Sequence, residues 1–109
     1  MKIINCTPHD VNLITESENI TFPRSGIIPR LTEQQVKINS VTVNGIEIDI
    51  MKKSFNEVEG LPEPENGTTY IVSALIAGAC PGRTDLIIPN DTIRDEKGRI
   101  VGCKNFARI

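Results

Sequence analysis

The chain has 109 residues, with Lys plus Arg numbering 12 against 14 Asp plus Glu for a net charge of -2. That length fits one core and hence a single domain over residues 1–109. The lack of any concentrated basic run excludes nucleic acid as a partner, because phosphate-backbone binding needs one, and 4% aromatic residues with no Trp excludes a base-stacking platform.

Lys2 to Asn5 and Val11 to Ile14 read as two short strands, separated by Thr7-Pro8-His9-Asp10, which has the chemistry of a hairpin turn. Ile20 and Phe22 mark another strand, stopped by Pro23, and Arg24-Ser25-Gly26 reads as a turn. Ile27 to Leu31 then resumes, with Pro29 suiting an edge. The clearest hairpin is SVTVNGIEIDI, where Asn44-Gly45 supplies a type I′ turn and pairs Val43 with Ile46 and Val41 with Ile48 on one apolar face. Val36 and Ile38 fall on even positions but Val41 and Val43 on odd ones, so a bulge or break near Asn39-Ser40 is needed to keep one face apolar.

Gly60 to Thr68 is rich in Pro, Gly and acids and reads as a surface loop. Tyr70 to Val72 reads as a buried strand. Ser73 then caps a short helix over Ala74 to Cys80, which ends at Pro81-Gly82. Leu86 to Ile88 is a strand ended by Pro89, so strand, helix and strand form a crossover. Thr92 to Arg94 and Arg99 to Cys103 flank the Asp95-Glu96-Lys97-Gly98 turn of a second hairpin. The expected fold is α+β: a small, mostly antiparallel β domain, sheet or partial barrel, with one short helix. Many apolar strands and little helix to cover them predict a homo-oligomer.

MKIINC lacks the pattern of a signal peptide, and no apolar run approaches the ~20 residues that span a bilayer. A cytoplasmic protein with no membrane partner is therefore expected. Cys6, Cys80 and Cys103 are odd in number and unpatterned in spacing, which suits reduced thiols packed as small hydrophobes.

In its TPH, GLPEPENGTTYIVSALIAGA, RTDLIIP and IRDEKGRIVGC segments the chain resembles a family of small proteins of tailed bacteriophages and prophages. Pro23-Arg24-Ser25-Gly26 followed by Arg30 is a weaker part of the same likeness. The resemblance implies a phage origin, action in the cytoplasm of the infected bacterium, and a role in countering host defence. By analogy with phage sponges, the expected partner is a small nucleotide immune signal of the ADP-ribose type.

The candidate ligand-binding residues are Thr7, His9, Arg30, Ser73, Arg83, Asp85, Arg94 and Asp95. His9, the only histidine, sits in a turn where its ring could meet a base or only complete the bend. Ser73 opens a helix whose free N–H groups favour an anion, or it is an ordinary cap. Arg83 with Asp85, and Arg94 with Asp95, offer forks for phosphate and carboxylates for ribose hydroxyls; the other reading is ion pairing within the fold. Arg30 is a similar cation.

No cofactor is implied, and Cys6-x-x-His9 lacks the further ligands of a metal site. No nucleophile triad, P-loop or dinucleotide fingerprint occurs, and Cys80-Pro-Gly-Arg83 reads as a helix terminator. Stoichiometric capture is thus expected over catalysis. The alternatives are an enzyme that degrades such a signal, with His9 as acid or base, and a protein that inhibits a host partner or forms a minor phage structural part.

Overall fold

Tyr70, Ile71 and Val72 are each 2% exposed or less, and the structure is organised around the strand that carries them. The computed structural model describes the backbone of residues 1–109 and the side chains of all but Phe55 and Asn56. Its elements are β1 (Lys2–Asn5), β2 (Val11–Ile14), β3 (Asn19–Phe22), β4 (Arg30–Val43), β5 (Ile46–Glu59), β6 (Thr68–Ile71), α1 (Ala74–Ala79), β7 (Leu86–Arg94) and β8 (Ile100–Ala107). Six strands form one mixed sheet in the order β1-β6-β7-β8-β2-β3, while β4 and β5 pair only with each other. The expected α+β class, mostly antiparallel with one short helix, is what forms.

β6 lies between β1 and β7, parallel to both, and is covered on its two faces. This is why the three consecutive residues Tyr70, Ile71 and Val72, at its end and just beyond it, are all apolar rather than alternating with polar ones. Tyr70 and Val72 face Cys6, Leu86 and the helix residues Ile76 and Ala77, whereas Ile71 joins Val11 and Cys103 in a second cluster. Phe22 and Phe106 flank that second cluster edge to face, with ring centroids 5.8 Å apart. The buried Tyr70 keeps its polar tip satisfied by donating to the Glu63 carbonyl at 3.1 Å.

The short helix forms where expected. Ser73 holds an extended backbone and its Oγ accepts from Ile76 N–H, and the helix stops at Cys80, before Pro81-Gly82. It carries the chain back from the carboxyl end of β6 to the amino end of β7, which completes the crossover.

Two expectations are corrected. Thr7-Pro8-His9-Asp10 is not a hairpin turn: β1 pairs with β6, and β2 with β3 and β8. The loop instead joins β1, at one edge of the sheet, to β2, next to β3 at the other edge. Those edges are brought together by a parallel bridge between Asn5 and Arg24, so the sheet curls toward a partial barrel.

Pro89 does not end β7, which runs on to Arg94. The Ile87 carbonyl accepts from Val72 N–H on the β6 side. Peptide groups alternate along a strand, so the Pro89 nitrogen also points to the β6 side, where β6 has already ended. The missing donor has no bond to lose there.

The Asn44-Gly45 turn adopts φ values of 51° and 77°, as type I′ requires, and pairs Val43 with Ile46 and Val41 with Ile48. The expected register correction is present between Lys37 and Asn39, leaving Ile38 as the extra residue. The hairpin is longer than its apolar core suggested, with 14 residues in each strand. It stands out as an arm, giving the molecule a 64 Å long axis and a radius of gyration of 18.6 Å, against about 13 Å for a compact chain of this length. Among the described residues no helix is long and apolar enough to cross a membrane.

Candidate functional site

Asn5 builds the region around His9. It is 2% exposed, so each of its polar atoms needs a partner. Its Nδ2 donates to the carbonyls of His9 and Phe22, both at 2.8 Å, which ties the loop after β1 to the end of β3. Oδ1 accepts from Thr7 N–H at 3.0 Å. The Thr7 hydroxyl lies 2.7 Å from Asn5 Oδ1 and 2.8 Å from the His9 carbonyl; its single proton serves one of them at a time. The Asn5 carbonyl in turn accepts from Ser25 N–H and Ser25 Oγ.

These bonds fix the backbone of the loop and leave the His9 ring exposed, with no carboxylate or hydroxyl bonded to it among the described residues. Asp10 accepts from Arg24 N–H at 3.0 Å, and the Arg24 guanidinium lies 3.6 Å from the same carboxylate. Arg24 also reaches the Pro8 carbonyl at 3.4 Å. Its side chain is 64% exposed, so this pairing is loose and open to exchange with another anion.

Ser73 lies near this loop. Cys6 N–H bonds to the Ile71 carbonyl, so β1 and β6 end side by side, and Thr7 and Ser73 emerge from the same end of the parallel strands. Loops at the carboxyl ends of parallel strands are the usual position for ligand contacts in mixed α and β folds. Beneath them, burial pushes the Cys6 thiol up, opposed in part by a hydrogen bond with Ser25. Such a thiol is a packing group, not a nucleophile.

The remaining candidates lie elsewhere. Arg83 and Asp85 sit before β7, at the other end of the helix, and hold each other in a two-pronged pair with both bonds at 2.8 Å. Arg83 also donates to the Pro62 carbonyl at 2.9 Å and lies over the Tyr70 ring, 6.0 Å from its centre. Its hydrogen bonds hold the Asp85 carboxyl below the ordinary range, with burial acting the other way. The cleft beside this pair holds about 240 Å³ and is lined by Leu31, Val58 and Leu61 together with Glu57 and Glu63. Those two acids oppose an anionic ligand there.

Arg94 and Asp95 are farther still, at the β7–β8 turn, about 20 Å along β7 from Ile87. They do not bond to each other. Arg94 donates to the Gly98 carbonyl at 2.7 Å, and Asp95 accepts from the Lys97 and Arg99 N–H groups and from Arg99 Nε. Bonds from the Arg99 and Lys97 backbone and the Arg99 side chain keep the Asp95 carboxyl low. Arg30 begins β4 opposite Glu59, at the root of the arm.

Of the eight candidates Thr7 and His9 therefore share one pinned loop, and Ser73 emerges from the same end of the parallel strands. The structure pairs Arg83 with Asp85 internally and leaves Arg30, Arg94 and Asp95 apart. The cation beside His9 is Arg24, a residue that the sequence placed in a turn and passed over for Arg30. Its signal was the Asp10–Arg24 link, which bridges two strands and is invisible to local reading.

Among the described residues no three His, Cys, Asp or Glu side chains gather as a metal site would require. Comparison with protein-family models, curated proteins and solved structures finds no match to this chain.

Proposed function

We propose that this chain is a phage-derived binding protein that captures a small nucleotide signal of the ADP-ribose type in the infected cell and withholds it by stoichiometric sequestration. The observation that carries the reading is the grouping of Thr7, His9, Ser73 and Arg24 at the carboxyl ends of β1 and β6, on a loop whose backbone is pinned by Asn5. A preorganised loop loses little entropy on binding. Arg24 is the group for a phosphate, Asp10 and Ser73 for ribose hydroxyls, and the exposed His9 ring for the face of the base.

Binding is favoured over conversion because the His9 ring has no bonded acid or nucleophile among the described residues to orient it. Sequestration also sets a requirement: nanomolar affinity, about 12 kcal/mol, with protein in excess of signal.

The test is to mix the purified protein with ADP-ribose and its cyclic derivatives, filter, heat the retained protein and identify what it releases. Recovery of unchanged nucleotide is expected, with retention weakened at least about tenfold in Arg24→Ala and His9→Ala, the loss of roughly one charge-assisted contact. A new product in place of the probe would assign an enzyme. Full recovery of every probe in the filtrate would overturn the reading.

A further inference from the structure

The arm carries a surface that nucleotide capture does not use. Residues paired across β4 and β5 share a face, so Val43 with Ile46, and Val41 with Ile48, lie on the same side as Ile50 and, across the bulge, Val36. These side chains are 38–64% exposed. The other side of the arm is charged and self-satisfied: Lys37 lies 3.0 Å from Asp49 and 3.8 Å from Glu47, and Lys53 lies 3.3 Å from Glu33. One side is therefore built for water and the other is not.

A two-stranded ribbon is marginal in water without a further layer. Among the described residues the body of the domain covers the root, where Leu31 and Val58 pack against the helix-side core. We propose that a second copy of this chain supplies the layer: two arms pack apolar face to apolar face, antiparallel about a two-fold axis, with the sheets about 10 Å apart.

Area and charge both point to a second copy. The face presents on the order of 600 Å² of aliphatic surface, the upper end of what a monomer's largest patch shows. Two such faces together bury on the order of 1,200 Å², the lower end for a stable specific interface. Between Val36 and Ile50 the face bears no charged residue, only Asn39, so it offers no charge pattern for an unlike protein to read. Lys52 marks its inner border beside Val36. In the antiparallel arrangement that lysine falls over the polar Asn44-Gly45 turn of the other arm and is not buried in the interface.

The inference is independent of any ligand. Sedimentation equilibrium on the full chain is expected to give a dimer at micromolar concentration. Val41→Lys with Ile48→Lys should raise the dissociation constant by about 100-fold or more, as loss of central contacts does, while Thr42→Lys on the charged side should leave it unchanged. Circular dichroism of each variant reports whether it is folded.

A second measurement holds even if the lysine variant fails to fold. In a Cys80→Ser background, Val41→Cys near the proposed two-fold axis should form an intermolecular disulfide on mild oxidation, and Ser40→Cys on the opposite face should not. A wild-type monomer at tens of micromolar, a dimer that survives both lysines, or equal cross-linking through Ser40→Cys would overturn the proposal and leave the face to an unlike partner.

Discussion

Replacing Asn5 with Ala tests whether one buried amide holds the two ends of the sheet together. The substitution removes two donations of 2.8 Å, to the His9 and Phe22 carbonyls, and the acceptor for Thr7 N–H at 3.0 Å. At about 1 kcal/mol net for each bond the loss is about 3 kcal/mol, a large share of a small domain's stability. At about 4–8 °C per kcal/mol, the melting midpoint should fall on the order of 15 °C. Asn5→Asp should cost more than Ala, because it keeps the Thr7 bonds but turns an oxygen toward two carbonyl oxygens. Urea unfolding followed by circular dichroism gives the free energies, with Asn12→Ala as control. Asn12 bonds to Val101 and Thr21 at the exposed surface, and its loss should stay within about 0.5 kcal/mol. Equal losses for Asn5→Ala and Asn12→Ala would refute the idea that Asn5 closes the sheet.

Three further outcomes are expected. A Cβ added at Gly102 would lie 2.7 Å from Ile14 Cδ1 and 2.9 Å from the Asn12 carbonyl oxygen; the side chain can turn aside but the carbonyl belongs to the sheet, so Gly102→Ala should cost about 1–3 kcal/mol in urea unfolding. Acid should destabilise the protein through Asp85, whose folded carboxyl is held low by Arg83: its contribution is complete above the unfolded carboxylate value of about 4 and is lost as pH falls through the folded one. Asp85→Asn should therefore flatten the acid limb of a stability–pH profile, and an unchanged limb would show that other carboxylates govern it. Burial pushes the Cys6 and Cys103 thiols up, whereas Cys80 is half-buried, so a thiol reagent at pH near 8 should label one cysteine quickly and two only on unfolding. Cys80→Ser should abolish the fast phase.

Local chemistry made much of this fold legible in the sequence. Asn44-Gly45 encodes its turn because two successive positive φ values suit few other residue pairs, and the parity change between Ile38 and Val41 announces the bulge. Ser73 and Pro81-Gly82 bound the helix for equally local reasons. What the sequence hides is pairing at a distance. Nothing near Lys2–Asn5 indicates that this strand lies parallel to one beginning at Thr68, so the following Thr7-Pro8-His9-Asp10 segment reads as a hairpin when it is a link between sheet ends. Pro89 reads as a stop because the sequence does not show that its β6-side neighbour has already ended. The same blindness explains the candidate site: chemical type alone selected Arg83 and Asp85, which the fold commits to each other, and missed Arg24, which the sheet closure carries to Pro8 and Asp10 on either side of His9 in the chain.

The arm shows why composition and local pattern were not enough to judge how this chain satisfies its apolar residues. Two 14-residue strands add little to the core of the body, which takes from them Leu31 and Val58 near the root. Beyond that root the ion pairs lie on exposed side chains and contribute at most about 1 kcal/mol each, too little to hold a long ribbon in one register against its conformational entropy. The aliphatic face is the larger reserve of free energy, and in a single chain it is mostly unspent. A ribbon of this length with one bare face gains stability from a second layer. If a second copy provides that layer, then the arm becomes ordered only in the assembly, and its amide hydrogens should exchange more slowly as protein concentration rises through the dimer dissociation constant, while those of the body, such as Ile71 and Val72, should not.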